Sequence, residues 1–158
     1  MSKKIRELGI QIGQLPVGPK NCITDVEGVR IGHVTLDEPI DEKGTYACTG
    51  VTAILPHGGN LFKEKVTAAS YIINGFGKTT GLVQVNELGV IESPIMLTNT
   101  FGVPAVTQGT LQYMLGENEE IGDTTGTINI VVGECNDGHL NSIRECPVQP
   151  KHAIEAIQ

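Results

Sequence analysis

The sequence contains no tryptophan, and it has only three tyrosines and three phenylalanines among its 158 residues. A protein that binds single-stranded nucleic acid by base stacking needs more aromatic side chains than this. Basic residues are also few: eleven lysines and arginines face eighteen acidic residues, which gives a net charge of -7. That charge has the wrong sign for binding a phosphate backbone. We therefore expect no nucleic-acid partner.

Long hydrophobic runs are missing as well. No segment approaches the roughly 18 consecutive apolar residues of a membrane-spanning helix. The basic start at Lys3 and Lys4 is not followed by the apolar segment of a signal peptide. We therefore expect a cytoplasmic protein with no membrane partner, in which the four cysteines are reduced thiols and not disulfides.

The sequence does have enough apolar residues for one hydrophobic core. Hydrophobic residues make up 39% of the chain, and its length is that of one domain at about 100 to 200 residues per domain. Glycine is abundant, with 20 residues, which favours many turns and close backbone contacts. We predict an N-terminal arm over residues 1–20, which are rich in proline and glycine, and a single domain over residues 21–158.

Apolar periodicity and turn residues predict a chain of mixed α and β structure. A hairpin that turns at Glu27 and Gly28 is expected within 24–36, followed by an acidic loop over 37–47. Further strands are expected over 49–56, 66–73, 81–86, 94–99 and 127–133. Helical spacing predicts one helix over 103–115, with Pro104 in its first turn, and another from 149 onward. Because the second helix reaches Gln158 without a C-cap, we expect the sequence to be part of a longer protein.

A glycine loop over residues 75–80 resembles the end of a phosphate-binding loop, since it contains Gly77-Lys78-Thr79. The first glycine of that motif would fall at position 72, which is Ile72. The following residues also predict a strand, whereas the motif requires a helix. We therefore interpret the loop as a β-turn and expect no nucleotide.

Metal and serine chemistry are both poorly supported by the residues. Zinc-ligand types occur at Cys135, His139, Cys146 and His152, but their spacing matches no paired C-x2-C site, and we expect no metal and no cofactor. The chain's four serines lie outside any Gly-x-Ser-x-Gly motif, and the sequence places no base beside them. No nucleophile is therefore evident.

The densest polar cluster covers residues 134–141, directly after the apolar segment 127–133. Polar residues at the end of a buried strand are held rigidly yet stay accessible, as a functional site requires. An Asx-turn, in which Asn136 or Asp137 satisfies local backbone N–H groups, accounts for the same residues. The residues alone leave both interpretations open.

Five separated segments, in the same order along the chain, resemble the DmpA-like L-aminopeptidase D-Ala-esterase/amidase family, which includes the β-peptidyl aminopeptidases. The segments are residues 21–33, 49–56, 74–78, 97–100 and 133–141. The resemblance extends from about Leu15 to the end of the chain. Five motifs in order are far more specific than any one of them.

This resemblance implies an α+β fold, an αββα sandwich like that of N-terminal-nucleophile hydrolases but with different connectivity. It also implies a precursor that cleaves itself into α and β chains, in which the serine or threonine that begins the β chain is the nucleophile. The family places that residue beyond Gln158. The chain thus resembles an α-chain portion, inactive alone, of a homo-oligomeric enzyme that hydrolyses small peptides, amides or esters.

The resemblance also assigns candidate site residues. Asn141 corresponds to the asparagine whose side-chain amide donates to the oxyanion, and Asn136 is the less favoured holder of that role. Ser142 replaces the aspartate that is usual in the family. The implied substrate-binding residues are Asn74, Phe76, Lys78, Leu82, Gln84, Tyr71 and Tyr113. The two tyrosines are included because Phe76 replaces a common family tyrosine and cannot make a polar contact.

Two alternatives remain beside the aminopeptidase interpretation. One is a non-catalytic binding or assembly module that keeps the scaffold without the part that carries the nucleophile. The other, less favoured, is a zinc-binding domain.

Overall fold

The computed structural model describes residue 3 and residues 5–158. Its strands are β1 Arg30–Pro39, β2 Tyr46–Leu55, β3 Val66–Thr67, β4 Val90–Ile91, β5 Ile95–Asn99 and β6 Val131–Cys135. Its α-helices are α1 Leu82–Leu88, α2 Val103–Glu117 and α3 Pro150–Ile157. Short 3-10 turns occur at Ile5–Leu8, Ile23–Asp25, Thr100–Gly102 and Ile143–Glu145. The helix predicted over 103–115 and the one predicted from 149 onward are both confirmed, as α2 and α3.

Four strands form the main sheet, in the order β1-β2-β5-β6. β1 pairs antiparallel with β2, β2 pairs antiparallel with β5, and β5 pairs parallel with β6. Parallel neighbours need a long crossover, and α2 lies in the connection from β5 to β6. As a result, β5 and β6 end at the same edge of the sheet.

Helices α2 and α3 cover one face of this sheet. The core between them contains sheet residues such as Val51, Met96 and Val132, and helix residues such as Val106 and Ala153. Gly109 of α2 allows a close approach to α3, because a Cβ atom built there would lie 2.1 Å from the carbonyl oxygen of Pro150. The two helices therefore form a single layer against the sheet.

The opposite face is covered at one end only. Val85 of α1 and Ile91 of β4 pack there against Val131 and Ile95. Toward the ends of β5 and β6 the cover stops, and the side chain of Leu97 is 42% exposed. The sheet thus has one helical face and one face that is partly open.

The predicted hairpin at Glu27 and Gly28 is wrong. Residues Ile23–Asp25 form a 3-10 turn, and Gly28, with a φ of +86°, makes a tight bend just before β1. The hairpin instead joins β1 to β2, and its loop is closed by the N–H of Ile40, which donates to the carbonyl of Thr45 over 2.9 Å. The acidic loop is therefore shorter than the predicted 37–47, because both strands extend into that range.

The strand predicted over 81–86 is a helix, α1. Its apolar residues suit a strand equally well, but glycines in the left-handed region bound it: Gly81 has a φ of +82° and Gly89 a φ of +67°. Packing of Val85 against β4 and β6 then fixes the helix. The strand predicted over 66–73 is limited to β3, since only Val66 and Thr67 find partners on β4. The strand predicted over 127–133 is β6, which covers Val131–Cys135 and so starts four residues later than predicted.

The described part of the predicted arm, residue 3 and residues 5–20, is exposed throughout. The division into an arm over 1–20 and a domain over 21–158 remains a prediction. Among the residues that the structure describes, no helix combines the length and apolar character needed to cross a membrane.

Candidate functional site

The ends of β5 and β6 border a cleft of about 590 Å³. The loop over residues 70–79 and the first residue of α1 form its other side. Most of its walls are apolar, with Ile72, Ile73, Phe76, Leu82, Ile95, Leu97 and Val131 among the lining residues. Polar lining residues occur in the loop, at Ser70, Asn74 and Thr79, and where the strands end, at Thr100, Glu134, Cys135 and Asn136. Apolar walls around a few fixed polar groups are typical of a small-molecule site.

Backbone hydrogen bonds join the end of the glycine loop, residues 75–80, to the edge of β6. Thr80 and Val132 exchange backbone hydrogen bonds of 3.0 and 3.3 Å. Within the loop, Oδ1 of Asn74 accepts the N–H of Phe76 over 3.0 Å, which makes an Asx-turn. The segment after this loop is helix α1, which begins after Gly81, and not the strand predicted over 81–86. The predicted strand is therefore no argument against a phosphate-binding loop. The mismatch at Ile72 remains a valid reason.

Lys78 and Phe76 lie together at the rim of the cleft. The ammonium of Lys78 donates to the carbonyl of Phe76 over 2.6 Å and lies 3.8 Å from the centroid of its ring. Cation–π attraction favours this position. The side chain of Phe76 is 81% exposed. The rim of the cleft therefore has the exposed ring of Phe76 with the ammonium of Lys78 in contact with it.

The carboxylate of Glu134 lies between two segments of the cleft. Its Oε2 accepts the hydroxyl proton of Thr100 over 2.6 Å, and its Oε1 accepts the N–H of Lys78 over 3.2 Å. These bonds hold the carboxylate in place, because one donor lies just after β5 and the other in the glycine loop. Glu134 and Thr100 were not predicted as site residues, although Glu134 was part of the polar cluster after the strand.

Asn136 lies at the cleft, and Asn141 does not line it. Oδ1 of Asn136 accepts the N–H of Gly138 over 2.9 Å, which forms the Asx-turn considered above. Asn141 is only 4% exposed. Its Oδ1 accepts the N–H of Cys48 over 3.2 Å, and its Nδ2 donates to Asp137 over 3.2 Å. Asn141 thus connects the polar cluster to β2.

Of the remaining predicted residues, Tyr71 and Leu82 line the cleft, and the side chain of Tyr71 is 90% exposed. Tyr113 lies elsewhere, in a cavity of about 60 Å³ between α2 and the end of β2. Burial and the charge of Glu117 raise the pKa of its phenol. A substrate contact by Tyr113 therefore has no support in this geometry.

Gln84 is also absent from the cleft lining. As a residue of α1, and not of the predicted strand, it hydrogen-bonds to the buried carboxylate of Glu92. Burial raises the pKa of Glu92, but hydrogen bonds from Lys65, the N–H of Asn129 and Gln84 outweigh this and lower it. The Lys65 ammonium lies 2.5 Å from that carboxylate. Gln84 therefore makes a structural contact with Glu92, outside the cleft lining.

A second depression, of about 400 Å³, adjoins the cleft on the open face of the sheet. Leu97 and Cys135 line both. Within the depression, Nδ1 of His33 and the hydroxyl of Thr52 are 3.0 Å apart. The cleft and the open face therefore form one continuous surface.

No group of three or more metal-ligating side chains is close enough to hold a metal ion among the residues that the structure describes. Cys135 lines the cleft, His139 and Cys146 are exposed, and His152 is buried in α3.

Comparisons with known proteins agree with the resemblance seen in the motifs. The model of peptidase family S58 matches residues 21–158. The chain is 36% identical over 158 residues to the beta-peptidyl aminopeptidases BapA of Sphingosinicella microcystinivorans and Sphingosinicella xenopeptidilytica. Each match covers 98% of this chain and 38% of the relative. The chain thus spans well under half the length of these relatives.

Solved structures show the same relationship. A protein of Pyrococcus horikoshii OT3 superposes with a TM-score of 0.90 at 51% identity, covering 98% of this chain and 45% of that one. A beta-aminopeptidase of a Burkholderia species gives a TM-score of 0.87 at 35% identity, covering 98% and 42%. The L-aminopeptidase D-Ala-esterase/amidase of Ochrobactrum anthropi, described as a variant of the Ntn-hydrolase fold, gives 0.81 at 33%, covering 96% and 43%.

These likenesses confirm the predicted fold class, α+β and similar to N-terminal-nucleophile hydrolases. They also confirm the predicted family, because its model covers the chain from Asn21 to Gln158. The chain belongs to peptidase family S58, a family of aminopeptidases.

Proposed function

We propose that this chain supplies the α-chain portion of a self-processing aminopeptidase that removes N-terminal residues from small peptides, amides or esters. The observation that carries the proposal is the extent of the match: 98% of this chain corresponds to 38% of a beta-peptidyl aminopeptidase. The remaining part of the enzyme, a β chain from the same precursor, would bring the nucleophilic serine or threonine. We also propose a cytoplasmic, homo-oligomeric enzyme without a metal.

The open face of the sheet supports this division of the enzyme. Next to the cleft, that face presents His33, Thr52 and the exposed side chain of Leu97. A β chain that packed there would complete a second layer and would place its first residue beside the cleft. An uncovered face with both apolar and polar side chains suits such an intramolecular partner.

In the proposed mechanism, the hydroxyl of the β-chain nucleophile attacks the substrate carbonyl, and its own free amine accepts the proton. Negative charge then develops on the carbonyl oxygen. A side-chain amide N–H that points at this oxygen would lower the barrier. Asn141 is our first candidate for this donor, from the family resemblance. Asn136 is the second, because it lines the cleft and only its Oδ1 is held in the Asx-turn.

Self-processing is tested by intact-mass measurement on the full natural gene product, with sequencing of any new N-terminus. We expect two chains, one of which begins with serine or threonine. Replacement of that residue by alanine should leave a single uncleaved species. A natural product of 16.8 kDa with no partner chain would instead favour the non-catalytic module.

A further inference from the structure

Strand β1 lies at an edge of the main sheet, and within the described part of the chain its strand partner is β2 alone. In an antiparallel pair, alternate residues direct both backbone groups to the partner strand, and the residues between them direct both away. The N–H of Ile40 donates to the carbonyl of Thr45, the residue opposite it, so the even-numbered residues of β1 bond to β2. The backbone groups that point outward are therefore those of Ile31, His33, Thr35 and Asp37.

Contacts on the other side of β2 agree with this alternation. Tyr46 and Cys48 lie opposite odd-numbered residues of β1, and their N–H groups donate away from β1, to Ser142 and Asn141. Pro39, the next odd-numbered position, has no N–H and so ends the row of outward donors. No backbone group among the described residues bonds to the outward groups of residues 31–37. We call these groups the free edge of β1. Such an edge is a template for pairing with another strand.

The two ends of β1 carry opposite charges. Arg30 is the first residue of the strand, and Glu38 is the second-last. Both are exposed, and neither forms an ion pair with another described residue. Because they are eight residues apart in one strand, their side chains lie on the same face of the sheet. The strand is thus complementary in charge to an antiparallel copy of itself.

The free edge can satisfy all of its own groups in one register. Its midpoint is Val34, and an antiparallel pair of β1 strands centred there places Ile31 opposite Asp37 and His33 opposite Thr35. Each such pair exchanges two hydrogen bonds, so the two strands form about eight in all. A shift of two residues in either direction leaves some of the outward groups unpaired.

The charges select the same register independently. With Val34 at the centre, Arg30 of one copy lies directly opposite Glu38 of the other, and symmetry repeats this contact. Opposite charges that face each other across two strands attract, whereas like charges there are destabilising. A shift of two residues would place Arg30 opposite Leu36 or Ile40 and lose both contacts. Hydrogen bonding and charge therefore agree on one pairing.

We propose that β1 pairs with β1 of a second copy of this chain, antiparallel and centred at Val34. The main sheets of the two copies then form one continuous sheet. The contact is isologous, since both copies use the same surface. This inference gives a surface to the homo-oligomer and rests on that part of the proposed function. The occupant of the free edge is thus a second copy and not another segment of a longer protein.

The test is the mass of this chain in solution, measured by sedimentation equilibrium, and we expect a dimer. Arg30→Glu and Glu38→Arg, each alone, place like charges opposite each other at two positions. Each should raise the dissociation constant of the dimer about tenfold. The double variant restores opposite charges and should restore the dissociation constant. Glu119→Arg, at an exposed position outside β1, makes the same charge change as Glu38→Arg and should have no effect.

Cross-linking tests the register. In the proposed pairing the two copies of Val34 face each other with Cα atoms about 4.5 Å apart, which is within the range of a disulfide. Val34→Cys should therefore give a covalent dimer on oxidation. Leu36→Cys is the matched control on the same face, because its two copies would lie roughly 13 Å apart along the strands. The parent chain, which has four cysteines of its own, is oxidised in parallel.

A monomeric parent chain would overturn the proposal. A dimer that the single charge variants do not weaken, or that the double variant does not restore, would overturn it as well. Equal cross-linking of Val34→Cys and Leu36→Cys would contradict the register. If a charge variant fails to fold, Thr35→Pro replaces it, because proline removes an outward N–H and leaves the bonds to β2 in place. Thr35→Pro should weaken the dimer, and an unchanged dimer would again overturn the pairing.

The full gene product separates this inference from the proposed function, since mass and hydrolysis are measured independently. If it hydrolyses L-alanyl p-nitroanilide but its mass does not respond to Arg30→Glu or Glu38→Arg, another segment of the longer protein occupies the free edge. That result would contradict the pairing of β1 alone. A product that associates through β1 but hydrolyses no aminoacyl p-nitroanilide would contradict the aminopeptidase function alone.

Discussion

The hydroxyl of Thr100 donates to the carboxylate of Glu134 over 2.6 Å, and this bond joins the residue after β5 to the second-last residue of β6. The two strands run parallel, so their ends meet at one edge of the sheet. The N–H of Lys78 reaches the same carboxylate from the glycine loop. Three segments that are distant in sequence thus meet at one side chain, which lines the cleft.

Thr100→Val tests the stabilising effect of this bond. The substitution keeps the shape of the side chain but removes the O–H donor. A hydrogen bond to a charged group contributes about 1.5 kcal/mol or more, so we expect a decrease of that size in the free energy of unfolding. Urea denaturation measures it. Thr124→Val, at an exposed loop position, is the control and should have almost no effect. Equal stabilities of the two variants would show that the bond contributes nothing.

The oxyanion role of Asn141 is tested in the complete enzyme. If its amide donates to the oxyanion, Asn141→Ala should lower kcat by about 10²- to 10³-fold with little change in KM. Asn141→Asp should be at least as harmful, because a carboxylate repels the developing negative charge. Steady-state kinetics and thermal stability are measured together for both variants.

The contacts of Asn141 with Cys48 and Asp137 predict a different outcome if its role is only structural. Stability or self-processing would then be lost in Asn141→Ala, with a normal kcat in whatever enzyme still matures. Asn141→Asp would lose stability as well, since aspartate can accept the N–H of Cys48 but sets a second carboxylate beside Asp137. Near-normal kcat in Asn141→Asp would rule out the oxyanion role. Asn136→Ala would then be expected to show the loss of kcat instead.

Two glycines of α2 predict opposite effects of the same substitution. A Cβ atom at Gly109 would lie 2.1 Å from the carbonyl oxygen of Pro150, whereas nothing lies within 4 Å at Gly116. Gly109→Ala should destabilise the protein by about 1 to 3 kcal/mol through overpacking. Gly116→Ala should stabilise it by about 0.5 to 1 kcal/mol through helix propensity. Thermal or urea unfolding of both variants compares them, and equal effects would contradict the close packing of α2 on α3.

His152 predicts a pH dependence of stability. Burial lowers the pKa of its imidazole below the ordinary 6.5, and Lys151 lowers it further, while Glu155 and Glu38 partly oppose this. The unfolded chain therefore binds a proton at a higher pH than the folded one, so stability decreases as pH falls through about 6.5. Protonation would also break the bond in which Nδ1 accepts the N–H of Gln149 over 3.0 Å.

The measurement for His152 is the free energy of unfolding between about pH 7.5 and 5.5, a window that spans the ordinary histidine pKa. His152→Gln should be less stable at the upper end but should lose less stability on acidification. His139→Gln, an exposed site, should follow the parent protein. Identical pH profiles for His152→Gln and the parent would contradict the account.

Some of the fold was predictable because local signals and packing agree. In α2, apolar residues at helical spacing, Pro104 in the first turn and Gly116 near the end all indicate the helix that the structure contains. In α1, by contrast, the apolar residues suit a strand equally well. The conformations of Gly81 and Gly89 and the contact of Val85 with β4 decide the outcome. Such tertiary contacts are not readable from a seven-residue segment.

The candidate site, like the fold, could be predicted from the sequence only in part. The polar cluster after β6 was recognisable, because polar residues follow an apolar strand. Its partner Thr100 was not, since only the parallel pairing of β5 with β6 brings the two together. Gln84 and Tyr113 were assigned through a resemblance that fixes sequence positions and not side-chain directions. Their locations, beside Glu92 and next to the core, follow from the helices that carry them.

We propose that this chain provides one part of an aminopeptidase site and needs the other part for hydrolysis. The most direct measurement is hydrolysis of L-alanyl and β-alanyl p-nitroanilide by this chain alone and by the full self-cleaved gene product. We predict release of p-nitroaniline by the full product and a rate no higher than buffer for the chain alone. Hydrolysis by the isolated chain above the buffer rate, or its absence in the full product, would contradict the claim.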